Sequence, residues 1–112
     1  VELGAVPLVT ALALETGLPF VIVRKGRKGH GLNRPFEGEL NAGESVALIE
    51  DITTTGGAAL TAVEVLREAG IEALTALAVV DRQEGAEEAF REANVPFRTV
   101  FTRESLGIEA DP

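Results

Sequence analysis

The 112-residue chain suits one compact domain with its own core and leaves little room for a second. It has no cysteine, which excludes disulfides and thiolate metal sites, and no apolar run near the ~20 residues that span a bilayer. Nothing resembles a signal peptide either, so a soluble, intracellular protein is expected, and a net charge of −8 argues against general binding to nucleic acid or anionic membranes.

In chain order, "VELG" at Val1 reads as the end of a strand already in progress, which suggests a fragment or a processed or trimmed form of a longer protein. Residues 7–17 read as a helix: Pro7 suits the first turn, Leu8, Ala11, Leu12 and Glu15 fall at helical spacing, and Gly17 is a natural stop. "PFVIV" (19–23) is a short apolar, β-branched run and predicts a buried strand. Residues 25–44 show no period and hold five glycines, which predicts a long loop. A second buried strand is expected over 45–51 and a helix over 57–70, with Leu60, Val63 and Leu66 on one face. A third core strand follows over 73–81, then an acidic helix over 84–94 pinned by Ala86, Phe90 and Ala93, and a last strand over 97–101. Strands apolar on both faces, alternating with helices, predict an α/β fold with a mostly parallel five-stranded sheet flanked by helices. Such sheets bind ligands at the carboxyl ends of their strands.

Three charged pairs fall at those ends: Arg24-Lys25, Glu50-Asp51 and Asp81-Arg82. The second runs straight into "ITTTGGA", where hydroxyls and glycines open a helix and leave backbone N–H groups free to hold an anion. Plain N-capping by Thr54 or Thr55 is the alternative. A nucleotide P-loop is excluded, because Ala58 stands where that motif needs lysine, and "GRKGHG" (26–31) lacks the spacing of a dinucleotide fingerprint. Two acids beside an anion cradle would repel a bare phosphate, yet they suit a phosphorylated sugar: hydroxyls for the acids, phosphate for the loop. Five of the ten basic residues (Arg24, Lys25, Arg27, Lys28 and Arg34) cluster around His30 with no acid between them. A basic island in an acidic chain points to a concentrated anion such as a polyphosphate, with a solvated loop as the alternative. Any metal would be a hard cation arriving with phosphate.

Together these residues resemble the type I phosphoribosyltransferases, most closely the orotate branch. "ALIEDITTTGGA" is similar to the family's phosphoribosyl-pyrophosphate motif, "VRKGRKGHG" to the mobile catalytic loop of the orotate branch, and "VVDRQEG" to the strand end carrying an arginine for the orotate carboxylate. "ELGAVPLVTALA" resembles the pyrophosphate loop and its helix. The resemblance implies a single phosphoribosyltransferase-like domain over 1–112, transferring phosphoribose from phosphoribosyl pyrophosphate to orotate to give orotidine 5-phosphate and pyrophosphate. The phosphoribosyl-pyrophosphate contacts it implies are Arg24, Lys25, Lys28 and His30 for pyrophosphate, Glu50 and Asp51 for the ribose hydroxyls, and Ile52, Thr53, Thr54, Thr55, Gly56, Gly57 and Ala58 around the 5-phosphate. Thr54 and Arg82 would meet orotate, and Lys28, His30 and Asp51 are the candidate catalytic residues. Mg²⁺ would ride mainly on the substrate, with no metal bound directly by the protein, and the basic loop would be shared across a cytoplasmic homodimer. Relative to the family, an N-terminal hood over the base is missing and the first acid is Glu rather than the more usual Asp. The competing readings are a truncated core, a non-catalytic phosphosugar-sensing regulator and a purine phosphoribosyltransferase, the last disfavoured by Arg82.

Overall fold

The computed structural model describes residue 1, residues 4–24 and residues 36–108. In chain order the elements are α1 (Val6–Thr16), β1 (Ile22–Val23), β2 (Phe36–Glu37), β3 (Ser45–Thr53), α2 (Gly57–Glu68), β4 (Glu72–Asp81), α3 (Ala86–Glu92) and β5 (Phe97–Thr102). The fold is α/β, as expected. Its centre is a parallel sheet of order β3-β4-β5, in which α2 and α3 are the crossovers that parallel neighbours require.

The core lies between this sheet and the two crossover helices. Ala59, Ala62, Val63 and Leu66 form the buried stripe of α2, and the small residues let the helix lie close to Leu48 and Ala76 on the strands. From α3, Ala86 and Phe90 are fully buried, and the Phe90 ring stacks on Phe97 of β5 at 4.7 Å between centroids and 13° between planes.

Both crossover helices stop by the same device. After α2, Gly70 turns left-handed (φ 79°) and the Ile71 N–H donates back to the Leu66 carbonyl at 2.9 Å. After α3, Asn94 does the same (φ 58°), with Val95 N–H donating to the Phe90 carbonyl at 2.9 Å. In each case the donor and acceptor side chains are both buried, which is the apolar contact that accompanies this type of helix end.

The N-terminal third departs from expectation in three ways. The run 19–23 does not become a core strand of the parallel sheet: only Ile22–Val23 is strand, paired antiparallel with Phe36–Glu37. That partner lies within 25–44, read from sequence as loop throughout, because two residues are too few to show a period. The five strands are therefore divided three and two. Finally, no residue of α1 is buried, and Leu12 is 38% exposed. An apolar cavity of about 510 Å³ explains this: Val6, Val9, Leu12 and Ala13 line one wall, Phe20 to Val23 another, and Val46 to Ile49 of β3 a third. The helix thus touches β3 only loosely, across a cleft that leaves its apolar side chains part-buried. The "VELG" strand end falls on residues 2 and 3, outside the described residues. No helix among the described residues is long and apolar enough to cross a membrane.

Candidate active site

The carboxyl ends of β3 and β4 meet side by side, with Thr53 opposite Asp81, so two of the three predicted charged pairs share one edge. Strand β3 runs two residues further than expected, through Thr53. Consecutive side chains on a strand leave opposite faces, so the two acids part. Glu50 shares the face of Leu48 and is buried to 9% exposure. Asp51, half-buried on the other face, meets the turn before α1, where a Cβ at Gly4 would come within 2.9 Å of Asp51 Cγ and collide with the carboxylate itself. Glycine at position 4 is what lets this turn close over Asp51.

Residues 54–56 then bend into α2. Its N-cap is Gly56, in a left-handed conformation (φ 87°), and no side chain caps the helix. Capping by Thr54 or Thr55, the alternative raised by the sequence, is therefore not what starts α2; Thr55 Oγ1 instead accepts from the Gly57 N–H at 3.3 Å. Thr55, Gly57 and Ala58 are exposed, so the first turn of a 12-residue helix opens to solvent with the positive end of its dipole outward. The back of this cradle rests on α3: a Cβ at Gly56 would lie 3.4 Å from both Ala86 Cα and Phe90 Cε2. Gly56→Ala is expected to cost about 1–2 kcal/mol from the left-handed backbone alone, measurable as a lower midpoint in thermal or urea unfolding.

Beside the cradle, the Arg82 N–H donates to the Thr53 carbonyl at 2.9 Å, fixing the two strand ends to one another. Arg82 is half-exposed, and its Nε pairs with Glu84 Oε2 at 3.0 Å. A buried Asp81 precedes it and accepts the Gln83 N–H on Oδ1 at 2.9 Å. The first charged pair, Arg24-Lys25, is only half accounted for. Arg24 follows β1, outside the three-stranded sheet, and pairs with Glu37 at 3.4 Å; Lys25, Lys28 and His30 lie outside the described residues. No group of three or more His, Asp or Glu among the described residues could cage a metal ion. The 510 Å³ cavity is a different place, apolar and lined by α1, β1 and the β3 edge.

Comparison with known proteins shows the family of the chain. The chain matches the phosphoribosyl transferase domain over residues 1–97. It belongs to that family. Among curated phosphoribosyltransferases it is 61% identical over 87 residues to the orotate phosphoribosyltransferase of Thermococcus kodakarensis, covering 78% of this chain and 47% of that protein. The crystal structure of orotate phosphoribosyltransferase from Aeropyrum pernix superimposes with a TM-score of 0.79 at 33% identity, covering 96% of this chain and 61% of the other. Orotate phosphoribosyltransferase of Mycobacterium tuberculosis, solved with phosphoribosyl pyrophosphate, gives 0.61 at 38% identity over 65% of this chain and 45% of the other. The chain spans about half the length of the curated phosphoribosyltransferases it matches.

Two residues of this phosphoribosyltransferase edge escaped the sequence reading. Gly4 lies in the segment likened to the pyrophosphate loop but was given no role, since its need for glycine comes from Asp51, 47 positions away. Gln83 sits left-handed at φ 60°, a conformation its type does not favour and which nothing in "DRQEG" announces.

Proposed function

We propose that the chain forms a single domain that is the core of an orotate phosphoribosyltransferase, displacing pyrophosphate from phosphoribosyl pyrophosphate by orotate to give orotidine 5-phosphate. The observation that carries this reading is the juxtaposition of Asp51, the open N-terminus of α2 and Arg82 on one edge, tied by the Arg82–Thr53 hydrogen bond of 2.9 Å. It agrees with the names of the curated relatives, at up to 61% identity.

In this reading Thr53 to Ala58 hold the 5-phosphate on backbone N–H groups and threonine hydroxyls at the positive end of α2. Ile52 contributes backbone where the strand enters the cradle. Asp51, the more accessible acid, accepts from a ribose hydroxyl, and Glu50 supports the same side of the sugar from its buried position. As the bond to pyrophosphate breaks, positive charge grows on the sugar and negative charge on the leaving group. Asp51 stabilises the first, while Arg24, Lys25, Lys28 and His30 stabilise the second, a preorganised electrostatic arrangement that is usually the largest catalytic term. Arg82 takes the carboxylate of orotate, a planar anion that suits a guanidinium, with Thr54 beside it. Orotate reacts as its anion, so little proton transfer is asked of the protein.

Mg²⁺ fits this site as a cation carried mainly by the substrate. The described residues offer one or two carboxylates, the usual protein share for Mg²⁺ bound with phosphates, and no cage. When bound it would neutralise charge on the leaving pyrophosphate. We place the protein in the cytoplasm as a homodimer whose basic loop reaches the neighbouring site.

Turnover is followed by orotate absorbance with phosphoribosyl pyrophosphate and Mg²⁺. Activity abolished by Lys28→Ala, with folding intact, supports the assignment; phosphosugar binding without turnover would favour a sensor. Gly4→Ala gives a second check. The new methyl pushes the Asp51 carboxylate aside, so phosphoribosyl pyrophosphate affinity should fall about tenfold or more, read by calorimetry. The melting temperature should move little, because the end of a side chain yields more cheaply than backbone.

A further inference from the structure

Among the described residues only Gln83 and Asn94 are non-glycine residues with positive φ. Asn94 is explained by the end of α3, and asparagine tolerates that conformation. Gln83 has neither excuse. It is not at a helix end, and a strained backbone is kept only where surrounding contacts determine it.

Those contacts converge on the turn that presents Arg82. The Gln83 N–H donates to Oδ1 of the buried Asp81 at 2.9 Å, and Gln83 Oε1 accepts the Glu104 N–H at 2.9 Å. Glu104 belongs to the turn after β5, which is itself closed by reciprocal bonds: Thr102 N–H to Ser105 Oγ at 2.8 Å and Ser105 N–H to Thr102 Oγ1 at 2.9 Å. Arg103 N–H donates to the Asp81 carbonyl, and Arg82 N–H to the Thr53 carbonyl, each at 2.9 Å. Arg82 is thus held on the β3 side by its own amide. On the β5 side the Arg103 bond holds the peptide before it, and the Gln83 side chain adds a second tie from this turn to the next.

We propose that Gln83 is a positioning residue that sets the orientation of Arg82 toward the phosphate cradle and so the affinity for an anionic, carboxylate-bearing base; this rests on the reading of Arg82 as the base contact. Gln83 touches no substrate. It acts by tying the β4 turn to the β5 turn beside Arg82, whose Nε pairs with Glu84.

Gln83→Gly tests this, because glycine accepts φ 60° without strain and removes only the bond to Glu104. Gln83→Asn is the second variant: it also tolerates the left-handed backbone, but its side chain is one methylene too short for Glu104. In the ¹⁵N-labelled full chain, both variants should fold, and the Arg82 backbone and Nε–H resonances should broaden or shift toward the positions of a free arginine. Orotate affinity should fall about tenfold while phosphoribosyl pyrophosphate affinity stays within about twofold, a split that a purely structural role would not produce. Arg82 resonances unmoved in both variants would overturn the proposal. An orotate affinity that is absent in the parent chain, or indifferent to Arg82→Ala, would instead sink the base-contact reading, and the Arg82 resonances would then judge the positioning role alone.

Discussion

Asp51→Ala is expected to lower turnover by about 10²–10³-fold, the loss that follows removal of one preorganised group facing charge that develops in a transition state. The position makes this specific. Asp51 is half-buried at the end of β3, immediately before the cradle that opens α2, with its carboxylate against Gly4. Among the described residues it makes no hydrogen bond or ion pair, so stability should change by no more than about 0.5 kcal/mol. That corresponds to a melting shift of about 2–4 °C in a domain of this size. Asp51→Asn separates the two tasks assigned to the group. The amide still accepts from a ribose hydroxyl, so KM for phosphoribosyl pyrophosphate should rise only modestly. The lost charge should appear in kcat. Steady-state kinetics with both variants checks this, and a large rise in KM with kcat preserved would mean that Asp51 only binds.

Phe90→Ala should be the most damaging core change, at about 3–5 kcal/mol. Its ring is fully buried, stacks on Phe97 and supports both the end of α3 and the floor beneath Gly56. A domain of this length has a total stability of only about 5–15 kcal/mol. The melting temperature should therefore fall by more than about 10 °C, with a lower urea midpoint to match. Phe90→Leu keeps much of the volume but not the stacking, and should cost clearly less. Because Phe90 lies under the cradle, the variant that stays folded should also bind the phosphosugar more weakly.

The parts of the fold that were legible in the sequence are those whose signal is local. The strands expected over 45–51 and 73–81 are rich in apolar residues, and α2 and α3 each carry a buried stripe, with Gly70 as the stop of α2. The N-terminal third was misread because its signals depend on partners. "PFVIV" has the composition of a core strand, but composition does not say which backbone will stand beside it; Ile22 and Val23 found Phe36 and Glu37. Likewise α1 has helical spacing and a glycine stop yet no fully buried residue, since full burial needs a close opposing surface and it faces a cleft.

The site divides along the same line. "IEDITTTGGA" was readable because its residue types carry their chemistry with them: acids for hydroxyls, glycines and threonines for an anion, a helix start for the dipole. Its supports were not readable. Gly4 matters because of a residue 47 positions away, and Gln83 because of a turn 21 positions on. Even within the motif, the sequence could not say that the pleat of β3 sends Glu50 into the core and leaves Asp51 accessible. In the proposed reading Asp51 faces the sugar and Glu50 supports it from its buried position.

The central claim is that residues 50–58 form a phosphoribose site, with the acid and the cradle acting on two parts of one ligand. Calorimetric titration of the folded chain with phosphoribosyl pyrophosphate and Mg²⁺ tests it most directly. The account predicts saturable one-to-one binding, weakened by Asp51→Ala and by Gly4→Ala in samples that melt close to the parent. A folded chain that gives no heat with phosphoribosyl pyrophosphate, or binds it equally well with Asp51 replaced, would contradict it.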